Sequence, residues 1–360
     1  MDTPLRVSDL DESALLARIV PLLGPPTDAV IVPSGDDAAV TGTPRTSSLR
    51  CGASRGPRNA TVLVGSGDDA AVIAAGDGRY VVSTDMLVEG RHFRLDWSTG
   101  FDVGWRAAMQ NLADMAAMGA QPTALVVALG MPGTTAVAWV EDFTCGLAAA
   151  CSTCGAVVVG GDLSGADSVI VSVTVHGDLE GRAPVLRSGA RPGDVVAHAG
   201  TLGHSAAGLA ALQYPSVEQG STAARPLKPS DVALSDRQAF IDAYLRPNPP
   251  LASGPAAALA GATAMLDVSD GLLRDAARIA AASSVTIDLS SAAITRHEQQ
   301  APLGLALTGG EDHGLLATFP PYATLPPGFT PIGHVTEGTP TVTLDGQTPA
   351  TSPGWDHFNA

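Results

Sequence analysis

The pattern of apolar and polar positions predicts strands and helices that alternate along most of the chain. Short apolar runs that end at Gly, Asp or Pro predict strands, and longer stretches with apolar residues three and four apart predict helices. The predicted helices cover 8–23, 102–118, 134–151, 205–212, 236–244, 254–259 and 272–282; the predicted strands cover 122–129, 156–159, 168–176, 195–199, 264–271, 314–318, 329–335 and 340–344. Because strands and helices alternate, we expect an α/β (α+β) fold.

One further pattern predicts a hairpin with an acidic open end. Strand-forming residues flank the turn Gly76-Asp77-Gly78, so the segments around Val72 and Val82 should pair. In that register Asp69 lies opposite Asp85, with Asp68 beside it. Because facing like charges destabilise a sheet, we expect a cation there, and Mg²⁺ with phosphate is the best match. The alternative is an acidic hairpin end exposed to solvent.

A near-repeat complicates this assignment. Residues 31–40 closely resemble residues 63–72, and they carry Asp36 and Asp37 where the second copy carries Asp68 and Asp69. Residues 34–62 are rich in Thr, Ser, Arg, Gly and Pro, which predicts an irregular insert. Only the second copy is followed by the short turn, so we assign the site to Asp68 and Asp69.

Carboxylates recur downstream in similar apolar settings. Asp114 interrupts an apolar helix, where an unpaired charge is costly. Gly160-Gly161-Asp162 and Asp267-Val268-Ser269-Asp270 each follow a buried strand, and Gly309-Gly310-Glu311-Asp312 follows an apolar run. Caps and backbone contacts explain each of these taken alone. Together they predict a shared cation and phosphate site.

Composition narrows the function. The 360 residues predict two domains, and we place the boundary at the Gly-, Arg- and Pro-rich stretch near 177, giving domains 1–177 and 178–360. A net charge of −16 argues against nucleic-acid binding. No membrane span or signal pattern is visible, so we expect a cytoplasmic protein. We expect all four cysteines to be reduced structural thiols.

The single lysine excludes two familiar kinds of phosphate site. Of 20 basic residues only Lys228 is a lysine, and it lies in Pro226-Leu227-Lys228-Pro229. Walker-type ATPases and protein kinases each need a lysine on the phosphates in a different context. If the protein handles ATP, then Mg²⁺, arginine and backbone N–H groups must balance the phosphate charge.

These motifs, taken in order, resemble one family over nearly the whole chain. The segments that carry the resemblance are 66–72, 83–85, 91–93, 111–120, 160–162, 266–271, 309–312 and 355–358. They resemble thiamine-monophosphate kinases of the aminoimidazole ribonucleotide synthetase-like superfamily. The resemblance implies ATP-dependent phosphorylation of thiamine monophosphate to thiamine diphosphate by direct in-line transfer, the last step of thiamine diphosphate biosynthesis. It also implies an N-terminal domain that dimerises into a β-barrel and a C-terminal α/β sandwich domain.

The resemblance also implies residue roles. It assigns several Mg²⁺ ions to Asp69, Ser83, Thr84, Asp85, Asp114, Asp162, Asp267 and Asp270, to which the hairpin pattern adds Asp68. It assigns ATP to Gly161, Asp162, Arg187 and Ser269, and thiamine monophosphate to His92, Glu311 and Trp355. No general base is assigned, and His313 stands where the family commonly has tyrosine. Two alternatives stay open: another ATP-dependent synthetase of the superfamily, such as selenophosphate synthetase, and a non-catalytic acidic cation-binding protein.

The near-repeat generates the first prediction. We expect Asp85→Asn to abolish kinase turnover and Asp37→Asn to leave it nearly unchanged, because only the second copy is assigned to the site. Steady-state assays of both variants measure this difference. An equal loss in both variants would show that the wrong copy has been assigned.

Overall fold

The computed structural model describes residues 4–23, 62–64, 72–213, 236–298, 301–350 and 354. Its helices are α1 (Glu12–Ile19), α2 (Gly100–Ala117), α3 (Val137–Ser152), α4 (His204–Gln213), α5 (Arg237–Leu245), α6 (Ser253–Leu259), α7 (Leu272–Ser283), α8 (Ser291–His297) and α9 (Leu303–Thr308). Its strands are β1 (Val62–Val64), β2 (Val72–Ile73), β3 (Val81–Val88), β4 (Gln121–Met131), β5 (Val157–Gly165), β6 (Ile170–Asp178), β7 (Val195–Ala199), β8 (Ala264–Val268), β9 (Thr286–Leu289), β10 (Gly314–Phe319), β11 (Thr330–Thr336) and β12 (Thr341–Leu344).

The N-terminal half is a mixed sheet with two long helices on one face. The strand order is β3-β6-β4-β5, in which only β4 and β5 run parallel. Helix α2 begins two residues before the predicted start, where Thr99 and Asp102 cap each other's backbone N–H groups. It packs closely on α3, because a Cβ at Gly104 or Gly146 would overlap a carbonyl of the other helix.

The predicted hairpin is wrong. The turn itself forms, with Gly78 N–H donating to Ala75 O at 3.1 Å. However, β2 pairs with β1, and β3 pairs antiparallel with β6, so that Asp85 lies opposite Val173. Asp36, Asp37, Asp68 and Asp69 lie outside the described residues. Any approach of Asp69 to Asp85 therefore needs a route other than this hairpin.

The C-terminal half is a six-stranded sheet in the order β12-β9-β11-β7-β10-β8. Its pairs are antiparallel except for β12 with β9. Strand β8 is buried along its whole length, and α7 covers it with an apolar face built on Leu272, Ala276 and Ile279. The predicted α/β two-domain architecture is thus confirmed, whereas the boundary at 177/178 stays a prediction.

Three local predictions need correction. Gly160, Gly161 and Asp162 lie inside β5 and not at the end of a strand. Strand β9 and the short helices α8 and α9 were not predicted. Cys145 is disulfide-bonded, so the prediction of four reduced thiols is wrong, although Cys151 and Cys154 are free.

Within the described ranges, none of the helices combines the length and apolar character needed to cross a membrane.

Candidate active site

Three carboxylates from both halves of the chain meet at the inner face of the N-terminal sheet. Asp85 comes from β3, Asp114 from α2 and Asp267 from the end of β8. We call Asp85, Asp114 and Asp267 the acidic cluster. Ser83 Oγ donates to Asp114 Oδ2 at 2.6 Å, and Asn111 Oδ1 accepts the backbone N–H of Asp85 at 3.1 Å.

Burial and neighbouring charges act on two carboxylates of the cluster, Asp114 and Asp85. Burial, followed by the charges of Asp267 and Asp85, raises the pKa of Asp114 from 3.8 to about 7. Burial also raises the pKa of Asp85, where the charge of His313 acts in the opposite direction to that of Asp267. Carboxylates this close and this buried repel each other unless a cation or a proton joins them. The predicted convergence of Asp85, Asp114 and Asp267 is therefore observed.

The donor set fits Mg²⁺, which prefers hard oxygen ligands. Among the residues that the structure describes, no three His, Cys, Asp or Glu side chains are placed to hold a metal ion by themselves. In proteins, Mg²⁺ is usually bound by one or two carboxylates together with substrate phosphates and water. Asp68 and Asp69, the remaining predicted ligands from the hairpin segment, lie outside the described residues.

His313 is a buried hydrogen-bond partner of Asp267. Its Nδ1 lies 3.1 Å from Asp267 Oδ2, and both side chains are buried. Burial lowers the pKa of His313, but the hydrogen bond and charge of Asp267 outweigh this and raise it overall. The two buried side chains therefore satisfy each other's hydrogen bonding inside the fold.

Two adjoining loops hold this side of the site in an unusual backbone conformation. Glu311 and His313 have φ values of 66° and 54°, which non-glycine residues rarely adopt. Their N–H groups donate to Ser269 O at 2.8 Å and Val268 O at 3.1 Å. Such positions persist only when the surroundings enforce them, and they concentrate at functional sites.

Asp270, a predicted Mg²⁺ ligand, is held by an arginine. Arg278 bridges Asp270 and the fully buried Asp275, and Asp275 also accepts the backbone N–H of Asp270 at 2.9 Å. Burial raises the pKa of Asp275 from 3.8 to about 6. Asp270 therefore lies in a charge-paired network next to the acidic cluster.

The sheet separates two predicted ligands from this cluster. Thr84 is exposed on the outer face, where its Oγ1 donates to Val173 O at 2.9 Å and accepts from Thr174. Asp162 is also exposed, on β5, three strand spacings from β3, or about 14 Å. Within one chain these side chains do not join Asp85 and Asp114, and their metal role stays a prediction.

The predicted ATP residues occupy two places. Gly161 and Asp162 line a cavity of about 1090 Å³ between α1, α3 and the β5 side of the sheet, which also receives the rings of Tyr80 and His176. This volume is ample for a nucleotide. Arg187 is exposed after β6, and Ser269 lies in the loop after β8; neither lines that cavity.

The predicted substrate residues His92 and Glu311 lie near each other around two residues that were not predicted. Arg106 pairs with Glu311, and Tyr244 Oη donates to His92 O at 3.4 Å. The third predicted residue, Trp355, lies outside the described residues. His92 Nδ1 accepts the backbone N–H of Val88 at 2.9 Å, which fixes the ring next to β3.

A helical signal was available for one of the residues missed. Arg106, Gln110 and Asp114 are four residues apart, so they share one face of α2, and a buried arginine on an apolar helix is as unusual as a buried aspartate. Tyr244 carries no comparable signal, because its partners are distant in sequence.

Comparison with known proteins identifies the relatives of the chain. Residues 67–179 match the AIR synthase related protein, N-terminal domain, and residues 191–343 match the AIR synthase related protein, C-terminal domain. A thiamine-monophosphate kinase of Mycobacterium tuberculosis is 46% identical over 297 residues, which cover 80% of this chain and 83% of the relative.

Solved structures give the same result. The thiamine-monophosphate kinase of Stenotrophomonas maltophilia superposes with a TM-score of 0.67 at 29% identity, covering 81% of this chain and 93% of that one. AaThiL complexed with AMPPCP and TMP superposes with a TM-score of 0.66 at 33% identity, covering 81% and 91%.

The acidic cluster generates a stability prediction. Asp114→Asn removes one of three charges and keeps an acceptor for Ser83. In EDTA at pH 8 we expect the free energy of unfolding to rise by about 1–2 kcal/mol, because a carboxyl with a raised pKa destabilises the fold when ionised. Urea denaturation measures this change. Glu337→Gln, at an exposed position, is the matched control and should change nothing.

The pH dependence follows from the direction of the shift. The folded-state pKa of about 7 lies above the ordinary 3.8, so the wild-type protein loses stability from this group as the pH rises between those values. The gain from Asp114→Asn should therefore grow from about pH 4 to pH 7 and level off above it. A variant that is less stable than wild type in EDTA at pH 8 would contradict the repulsion.

Proposed function

Since the chain belongs to the thiamine-monophosphate kinase family of AIR synthase related proteins, and is therefore a kinase, we propose that it phosphorylates thiamine monophosphate with ATP. The product is thiamine diphosphate, and the reaction is the final step of its biosynthesis. The observation that carries the proposal is the convergence of Asp85, Asp114 and Asp267 at the meeting of the two halves of the chain. The solved AaThiL complex with AMPPCP and TMP supports the choice of substrates.

The acidic cluster, together with Ser83 and Asp270, would hold Mg²⁺. When bound, Mg²⁺ neutralises phosphate charge and orients the phosphates. The cluster would then have two effects. Its carboxylates repel each other until a cation binds between them, and they repel a phosphate that is not accompanied by a cation. The proposed set of Mg²⁺ ligands has four further members. Two of them, Asp68 and Asp69, lie outside the described residues, and the sheet separates the other two, Thr84 and Asp162, from the cluster.

Charge balance supports this arrangement in a chain with one lysine. Arg106 and Arg278 are two arginines of the described part of the chain near this side of the site, and both are already paired with carboxylates. Neither is placed as the P-loop lysine of a Walker-type ATPase is placed, on a glycine-rich turn. Divalent cations therefore remain the main source of positive charge for the triphosphate.

The chemistry needs positioning more than proton transfer. A phosphate oxygen of thiamine monophosphate attacks the γ-phosphorus of ATP in line, a new P–O bond forms, and the bond to the ADP oxygen breaks. The attacking phosphate is largely ionised near neutral pH, since its second pKa is about 6. The chain therefore needs no general base, and none is assigned.

Nucleotide binding is proposed to use Gly161, Asp162, Arg187 and Ser269. Because Gly161 and Asp162 line the cavity at the β5 side of the sheet, three strand spacings from β3, one chain does not bring them to the acidic cluster. A site shared between two copies and between domains accounts for both groups. His92, Glu311 and Trp355 are proposed to hold thiamine monophosphate, with Trp355 against a ring.

A homodimer is proposed on the outer face of the N-terminal sheet. Tyr80, Val82, Met86 and Val126 are 61%, 54%, 55% and 37% exposed there, so β3 and β4, which lie on either side of β6, both have large apolar side chains exposed on this face. Exposed apolar side chains that share one face of a sheet are typical of interaction sites. Joining two such sheets face to face gives the β-barrel implied by the family.

The function test is formation of thiamine diphosphate from ATP and thiamine monophosphate, with and without Mg²⁺. We expect product in Mg²⁺ and a loss of at least about 100-fold in EDTA, because the triphosphate charge is then unbalanced at a carboxylate bed. Chromatographic detection of the product measures it. Activity that persists unchanged in EDTA, or the absence of product with this acceptor, would overturn the proposal.

The dimer has its own test. We expect Val82→Lys and Val126→Lys to convert the dimer to monomer, because each places an ammonium group in the apolar face. Sedimentation velocity measures the change. Leu259→Lys, at a residue that is 75% exposed on α6, is the matched control and should stay dimeric. A monomeric wild-type protein at micromolar concentration would contradict the proposed barrel.

A further inference from the structure

Arg106 is a buried arginine directly behind a predicted substrate contact. It is 2% exposed, whereas the Glu311 side chain with which its Nη2 pairs is 36% exposed. Its Nη1 donates to Tyr244 O at 3.0 Å, and its guanidinium carbon lies 4.6 Å from the centroid of the Tyr244 ring. The guanidinium is thus fixed from two sides, with Glu311 between it and the solvent-accessible site.

We propose that Arg106, held by Tyr244, is the positioning residue that orients the Glu311 carboxylate to accept a hydrogen bond from the pyrimidine amino group of the substrate. The inference rests on the proposed function and deepens it, because it names the substrate group that Glu311 reads. Neither Arg106 nor Tyr244 is among the residues to which the family resemblance assigns a role.

Stability does not account for this pair. Removing a guanidinium from water is costly, and a buried ion pair seldom recovers more than that cost. Arg106 Nε makes no hydrogen bond to any of the described residues, so the burial is incompletely compensated. A core position on α2 filled by an apolar side chain would avoid the cost. The arginine is therefore best explained by what it does for Glu311.

The geometry leaves one side of the carboxylate available. Within the described ranges, the Glu311 side chain makes its hydrogen bond through Oε2 alone, to Arg106. The other oxygen receives no hydrogen bond from the described residues, and the side chain is 36% exposed. The backbone is fixed as well, since Glu311 has a φ of 66° and its N–H donates to Ser269 O at 2.8 Å. Both ends of the residue are held, so the direction of the remaining acceptor is held.

Charge explains why the recognised group is a hydrogen-bond donor and not simply a cation. Arg106 pairs with Glu311, and the charges and hydrogen bonds of Glu311 and Tyr244 together outweigh the effect of burial and raise the pKa of the guanidinium. An ion pair has little net charge to offer a distant cation. It still offers a strong, directional acceptor, since hydrogen bonds to ionised groups are shorter and stronger than neutral ones.

Tyr244 connects this acceptor to the second predicted substrate contact. Its ring lies under the guanidinium of Arg106, and its hydroxyl reaches His92 O at 3.4 Å. Helix α5 therefore places one side chain against both halves of the proposed ring site. A site that is built to accept from an NH group rejects an analogue that lacks it, because the acceptor is then left unpaired.

The test compares thiamine monophosphate with the analogue whose pyrimidine amino group is replaced by a carbonyl oxygen. We expect wild type to prefer thiamine monophosphate by about 10- to 100-fold in kcat/KM, the range of one charged hydrogen bond. Arg106→Met should raise the KM for thiamine monophosphate about 10-fold or more, leave the KM for ATP within about twofold, and reduce the preference to within about threefold.

Controls separate positioning from folding. Arg18→Met removes another arginine–carboxylate pair, with Glu141 between α1 and α3, and should keep the wild-type preference. Arg106→Lys keeps the charge but not the planar contacts, so it should restore part of the preference. If circular dichroism shows that Arg106→Met does not fold, Arg106→Lys serves as the test variant in its place. In the double variant with Glu311→Gln, the two effects on KM should not add.

The outcomes are distinct. A folded Arg106 variant that keeps the wild-type preference, or effects of Arg106→Met and Glu311→Gln that add, would overturn the inference and leave the proposed function intact. A wild-type protein that phosphorylates thiamine monophosphate and the carbonyl analogue with equal kcat/KM would also overturn the inference and leave the proposed function intact. A wild-type protein that makes no product from thiamine monophosphate would overturn the proposed function and the inference together.

Discussion

Mutual repulsion among Asp85, Asp114 and Asp267 is the constraint on which the site depends. Each carboxylate comes from an element with its own reason to be where it is: a sheet edge, a capped helix and a fully buried strand. The fold buries them together although this is unfavourable, since burial and then neighbouring carboxylates raise the pKa values of Asp85 and Asp114. Under the proposed function, binding of a cation and its phosphates would restore the stability that is lost locally, as is common at functional sites.

The surroundings of the cluster are consistent with that role. His313 provides Asp267 with a hydrogen-bond partner, and Arg278 provides Asp270 with a positive neighbour. The same loops hold Glu311 in a left-handed conformation against Ser269, which places the proposed ring contact and the proposed cation site on adjacent turns.

The sequence allowed prediction wherever the interaction is local. Periodicity located α2 and the charge of Asp114 on its apolar face, and turn chemistry located the bend at Gly78. Pairing over long distances could not be predicted in this way. Strand β3 pairs with β6 and not with its neighbour in sequence, because a strand's partner depends on the packing of the whole sheet. Arg106 and Glu311 are 205 residues apart, so no spacing rule connects them.

Helix α2 fixes the distance between two parts of the proposed site. Its close contact with α3 through Gly104 and Gly146 leaves little room for bending or sliding. Arg106 and Asp114 lie on the same face, two turns apart, and at 1.5 Å per residue this sets about 12 Å along the helix between the proposed ring contact and the proposed phosphate site. The rigid helix would therefore select substrates by length: a molecule whose phosphate lies too near to or too far from its heterocycle could not contact both proposed sites at once.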